Sequence, residues 1–186
     1  MALLDIRVLG DPVLRQSTTP VAEVTDDLRR LAQDMLETMY VARGIGLAAP
    51  QVGRTERLAV VDIEDEPIVM FNPEIVRTEG PTEKSEEGCL SIPEVYGDVE
   101  RPTRITVRYL DAGGATVERD ADDLLARCIQ HEIDHLDGKL FIDYLGPFKR
   151  RTALAKWTRE KEQYPGNIRR LTAEEIAEHH HNGEEL

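Results

Sequence analysis

Apolar residues recur every three or four positions at Leu28, Leu31, Ala32, Met35, Leu36 and Met39, which predicts a helix with one core-facing stripe. Thr25 is its expected N-cap, Asp26 and Asp27 favour its first turn, and it should run to about Val41. The pattern then shortens. Leu58–Ile63 and Ile68–Phe71 are short β-rich runs, with breaks expected at Asn72-Pro73 and Glu79-Gly80-Pro81. Ile105–Leu110 alternates like a half-buried strand, and Asp111-Ala112-Gly113-Gly114 reads as a hairpin turn leading to Ala115–Arg119. Helical spacing returns from Leu124 and continues without Pro or Gly until Gly138. Another helix is expected from Pro147 to Gln163, ending before Tyr164-Pro165-Gly166. The first 24 residues read as an irregular arm, and no internal repeat is visible.

Composition narrows the class. The 186 residues suffice for one domain with a real core, and 40% hydrophobic with 32% charged residues is ordinary for a soluble globular protein. No apolar run approaches a membrane span, and Asp5 and Arg7 interrupt any signal-peptide core, so the expected location is the cytoplasm. Cys89 and Cys128 form no disulfide framework. The net charge of −13 argues against a broad nucleic-acid surface, and specific DNA is not expected as a partner. Lys149 to Arg170 departs from this: eight bases against two acids give that window +6 and leave −19 on the rest. Such a cluster is usually a solvated helix face. Residues 1–165 are expected to form the catalytic unit, and 166–186, acidic apart from His179-His180-His181, a flexible tail.

Candidate chemistry centres on Gln130-His131-Glu132-Ile133-Asp134-His135. Helical residues four apart are rotated by only about 40°, so His131 and His135 can offer ring nitrogens to one metal. Glu132, beside them, can reach a metal-activated water without being a ligand. That arrangement suits a hydrolytic metal enzyme with the carboxylate as general base. Leu124 and Cys128 share the face of His131 and His135, where Leu124 could equally be core.

Two imidazoles leave a catalytic metal one protein ligand short. Asp143 is the first acid beyond the helix that could serve. Upstream, Glu87-Gly88-Cys89-Leu90-Ser91-Ile92-Pro93 offers a thiol flanked by turn formers, and Cys89 with the two histidines would make a tetrahedral site open to water. As a lone thiol Cys89 would more often be a small buried residue; the HExxH run reverses that preference. Gly44-Ile45-Gly46-Leu47-Ala48-Ala49-Pro50-Gln51 is a small-residue loop that lets backbone approach closely, as a packing turn or a ligand-binding loop.

Together, Gly44–Gln51 (GIGLAAPQ), Glu87–Ser91 (EGCLS) and His131–His135 (HEIDH) resemble, in order and spacing, the three motifs of the peptide deformylase family. The resemblance covers about residues 3 to 160. It implies an α+β fold in which antiparallel sheets surround the HExxH helix, with an N-terminal and a C-terminal helix. It also implies hydrolysis of the N-formyl group from the initiator Met of nascent polypeptides, releasing formate. By the same resemblance Cys89, His131 and His135 bind one Fe(II) per chain, with Zn(II) as a less active substitute. Glu132 is then the acid–base group, and the Gln51 amide and Leu90 N–H stabilise the developing oxyanion. Gly46 pairs with the substrate backbone, while Ile45, Leu124 and Cys128 line the Met pocket. The C-terminal helix of related deformylases is implicated in ribosome docking, which makes the basic 149–170 segment a candidate ribosome contact. In one place the chain departs: some members carry an Arg that contacts the bound peptide where this chain has Tyr96. Two rivals make different demands. An HExxH metallopeptidase with a downstream ligand would not need Cys89, and a metal-stabilised ribosome-binding module without catalysis would not need Glu132.

Overall fold

A computed structural model describes residues 2–183. It is α+β. Helix α1 (Asp26–Val41) is followed by an antiparallel sheet in the order β2 (Gly46–Ala48), β3 (Leu58–Val61), β4 (Ile68–Cys89), β5 (Ile92–Leu110) and β6 (Thr116–Asp122). Then come α2 (Asp123–Leu136), α3 (Pro147–Glu160) and α4 (Ala173–Gly183). A separate two-stranded antiparallel pair joins β1 (Ile6–Arg7) to β7 (Ile168–Arg169). Among the described residues no helix is long and apolar enough to cross a membrane.

Helix α1 begins as expected, with the Thr25 hydroxyl accepting the Leu28 N–H at 3.3 Å. Its stripe packs on Leu47, Leu58, Val60 and Phe71. Helix α2 lays Ala126, Ile129, Ile133 and Leu136 against the inward residues of β3, β4 and β5, including Val61, Met70, Ile105 and Val107. Each Val, Leu, Ile or Met side chain among these contributes about 1.5–3 kcal/mol when taken from water. Polar residues on the other side of the helix therefore meet the hairpin of β4 and β5. Helix α3 is held at Ala153 and Trp157, which pack with Val95, Val99 and Leu145.

Two differences from the sequence-based expectation stand out. Strand β4 does not stop at Asn72-Pro73 or Glu79-Gly80-Pro81 but runs through both to Cys89. Register shifts at Phe71/Glu74 and Glu79/Thr82 absorb the two breaks as bulges, with Asn72 and Gly80 at positive φ. The Asn72 side chain is further fixed by Val21, whose N–H and C=O it meets at 2.8 and 2.9 Å. Its partner β5 likewise extends back to Ile92, carrying the second motif into the protein on a long twisted hairpin.

Secondary structure continues in the segment after 165, which the sequence reads as an acidic, flexible tail. β7 bonds to β1, and α4 is closed by a capping box in which Thr172 Oγ1 accepts the Glu175 N–H and Glu175 Oε2 accepts the Thr172 N–H. Helix α4 lies on α1, where His179 stacks on Tyr40 at 6.4 Å between centroids and Glu178 pairs with Arg43. Backbone pairing and these contacts supply order that composition does not signal. Residues 184–186, the end of the expected tail, lie outside the described residues.

Candidate metal centre and its cavity

Cys89 is the last residue of β4, and His131 and His135 stand one turn apart on α2. The hairpin brings the thiol over the helix. Cys89 Sγ lies 3.3 Å from His135 Nε2, which is 3.2 Å from His131 Nε2. All three donor atoms lie within 4.8 Å of one another, and this trio is the metal-ligating cluster found among the described residues. A tetrahedral ion about 2.0–2.1 Å from nitrogen and 2.3 Å from sulfur needs separations of about 3.3 Å between nitrogens and 3.6 Å from nitrogen to sulfur. The residues fit. Asp143 does not join them: Arg15 holds its carboxylate at 2.6 and 3.1 Å, and it accepts the Leu140 N–H at 3.0 Å.

His131 is oriented from behind. Glu87 Oε1 meets its Nδ1 at 2.9 Å, which leaves Nε2 to face the cluster. The Glu87 carboxylate also receives Arg101 at 2.6 and 2.9 Å and Arg127 at 2.7 Å. Burial alone would raise its pKa, but bonds from Arg101 and His131 outweigh that and hold it at about 2. Arg101 continues to Asp134 at 2.9 Å, and Tyr144 OH donates to the same Asp134 oxygen at 2.8 Å. Sequence reasoning assigned no role to Glu87, Arg101, Arg127 or Asp134. Glu87 lies inside a quoted motif, so a signal existed. Arg101 has none, because its partners are 14 and 33 residues away.

Glu132 is buried, and its Oε2 has no hydrogen-bond partner among the described residues. Burial pushes its carboxyl up to about 7. An acceptor left open in this position suits a water or a reacting group. Gly46 of β2 lies directly over it: a Cβ there would fall inside contact distance of Glu132 Oε1 and 2.9 Å from Cys128 Sγ. Only glycine lets strand and carboxylate come this close.

Gln51 is buried, with its Oε1 accepting the Ala48 N–H at 2.9 Å. This bond turns the amide so that Nε2 faces Cys89 Sγ at 3.6 Å and donates to Ser91 Oγ at 3.2 Å. Ser91 is another participant that the sequence did not mark. Burial raises the pKa of the Cys128 thiol, which donates to the Ile45 carbonyl at 3.4 Å. Both cysteines are free, as expected without a disulfide.

The centre opens into a cavity of about 1090 Å³. Ile45, Gly46, Gln51, Cys89, Leu90, Leu124, Cys128, His131 and Glu132 all line it, while His135 is buried beneath. Leu124 is 51% exposed, which removes the core-packing alternative for that residue. Ile45, at 44%, presents a second apolar surface to the same space. Tyr96 also lines the cavity, with its ring against Gly88.

Comparison with known proteins agrees with this geometry. A family model described as Polypeptide deformylase matches residues 3–151. A peptide deformylase from Alkalilimnicola ehrlichii is 57% identical over 155 residues, covering 81% of this chain and 86% of that one. The crystal structure of a peptide deformylase from Legionella pneumophila superposes with a TM-score of 0.83 at 46% identity, covering 87% of this chain and 97% of that one. A second, from Synechococcus elongatus in complex with actinonin, gives 0.80 at 52% identity over 83% and 86% of the two chains.

Proposed function

This chain belongs to the polypeptide deformylase family, and on that premise we propose how its residues carry the reaction. The protein is a metal-dependent hydrolase that removes the N-formyl group from the N-terminal formyl-methionine of newly synthesised polypeptides and releases formate. The observation that carries the assignment of roles is the convergence of Cys89, His131 and His135 beside the open oxygen of Glu132, at the inner end of one cavity.

Cys89, His131 and His135 hold one metal ion per chain. Fe(II) is the resident ion, with Zn(II) as a substitute; one thiolate with two imidazoles suits either, and the family resemblance favours iron. When bound, the ion would act as a Lewis acid, activating water near neutral pH and polarising the formyl group. Glu132 takes the proton from the attacking water and delivers it to the departing amine, with an Oε2 that no described residue engages. The Gln51 amide and the Leu90 N–H donate to the formyl oxygen as it gains charge, stabilising the transition state more than the ground state. The Gln51 amide needs little reorganisation, because Ala48 already fixes it.

Strand β2 is at the edge of the sheet, so the Gly46 backbone can pair with an extended peptide. Ile45, Leu124 and Cys128 then cover the Met side chain. The place of work is the cytoplasm, at the ribosome, approached through α3. Arg151, Lys156 and Arg159 are exposed on that helix, and Phe148 beside them is 82% exposed.

The deciding assay is formate release from a formyl-Met peptide by anaerobically purified protein. Formate with an intact peptide chain is expected. Cleavage of internal peptide bonds instead would return the metallopeptidase reading.

A further inference from the structure

The cavity, at about 1090 Å³, is at the upper end of the range of about 300–1,000 Å³ for ligand pockets and leaves room for peptide beyond the formyl-Met end. Part of its wall comes from chain outside the family match, which ends at residue 151. Tyr164, Ile168, Arg169, Arg170, Thr172 and Glu175 line the same space as the metal centre. They are anchored to the body of the protein. Ile168 and Arg169 pair with Arg7 and Ile6, Tyr164 stacks on Trp157 at 6.0 Å, and the Val8 N–H donates to the Asn167 carbonyl at 3.0 Å.

The two arginines are not equivalent. Arg169 Nη2 is tied to Glu175 Oε1 at 2.8 Å, and Glu175 is itself committed to capping α4, so that charge is spent within the wall. Arg170 is 78% exposed on its side chain, and its ion pair with Asp5 spans 3.8 Å. A surface pair of that length holds the guanidinium weakly. Of the other cations that line the cavity, Arg43 pairs with Glu178 and Arg127 is committed to Glu87 and two carbonyls, while Glu86 and Glu94 repel anions. The Arg170 side is therefore where a peptide can place a negative group.

We propose that this C-terminal wall is a specificity element of the peptide site, and that Arg170 selects for an acidic side chain downstream of the formyl-methionine. The inference rests on the deformylase reading and adds a substrate preference to it.

The test compares kcat and KM for formyl-Met-Ala-Ala-Asp and formyl-Met-Ala-Ala-Lys, both C-terminally amidated, using wild type, R170E and R170K. Wild type should favour the Asp peptide by about threefold in kcat/KM at low ionic strength, through KM, which is the scale of an exposed charge pair. The preference should weaken steadily as ionic strength rises, because salt screens an exposed charge pair. R170E should invert it and R170K should keep it, with melting temperatures confirming that both variants fold. An Asp/Lys ratio equal in wild type and R170E, or a change confined to kcat, would overturn the proposal. Absence of formate from amidated formyl-Met-Ala-Ala with wild type would instead remove the deformylase reading itself, and this inference with it.

Discussion

Glu87 Oε1 stands 2.9 Å from His131 Nδ1, so a carboxylate on the sheet hairpin sets the orientation of an imidazole on the central helix. Arg101 and His131 hold that carboxylate ionised against its burial, and Arg127 adds a further bond at 2.7 Å. Replacing Glu87 by Gln keeps the shape and removes the charge. Metal affinity should fall about 10–100-fold, the usual cost of losing such a partner. Competition with a chelator measures it. Unchanged affinity would mean that packing alone orients the ring. Glu87→Ala should cost more, up to about 3–5 kcal/mol of stability, because buried Arg101 would keep only Asp134 as a carboxylate partner. Thermal or urea unfolding reads that difference.

Glu132→Gln should retain the metal and lose nearly all turnover. The side chain lies beside the ligand cluster without belonging to it, so proton transfer is removed and coordination is not. General acid–base help is worth about 10²–10⁴-fold. Metal content and kcat measured on one preparation separate the two effects. Loss of the metal, or kcat above about a tenth of wild type, would contradict the assignment.

Cys89→Ser should release the metal on dialysis, since an alcohol is a much poorer ligand than a thiolate for soft or borderline ions. Cys128→Ser is the comparison, because its thiol lies on the cavity wall and bonds to the Ile45 carbonyl. It should keep the metal and raise KM for formyl-Met peptides. Retention of a full complement of metal by Cys89→Ser would revive a site that does not use the thiolate.

Air should inactivate an Fe(II) enzyme bound through Cys89, by oxidising the ion or the thiolate. Parallel purification with and without oxygen, followed by metal analysis and activity, is the measurement. Full activity in air with Fe(II) retained would count against this metal and its chemistry.

Reversing Arg151, Lys156 and Arg159 to Glu should weaken ribosome co-sedimentation, with the largest effect at low salt. Contacts to RNA phosphate release counterions and weaken steeply as salt rises. Lys149 and Arg150 are less suitable targets, because they already pair with Asp98 at 3.3 Å and Asp143 at 3.6 Å. Undiminished co-sedimentation would make the basic cluster a solvated face and no more.

Sequence by itself determined the features whose physics is local. The stripe from Leu28 to Met39 requires a helix because its period is that of a helix, and His131 with His135 can converge because four residues make about one turn. The three motifs contain the proposed catalytic and substrate-binding residues except Leu124 and Cys128, which helical spacing puts on the face of His131 and His135. Tertiary structure decided what depends on distant partners. Asn72-Pro73 and Gly80-Pro81 are stop signals in isolation, yet β5 pairs the backbone on either side of them, Val21 anchors the Asn72 side chain, and the strand continues as a bulged hairpin. Arg101 carries no local mark, and its importance comes from Glu87 and Asp134 meeting it out of water. The segment after 165 reads as solvated acid until β1 supplies its strand partner and α1 its helix contact. Periodicity reports a residue's neighbours within a turn or a strand; a buried charge or a cavity wall is set by groups that only chain folding brings within hydrogen-bond reach.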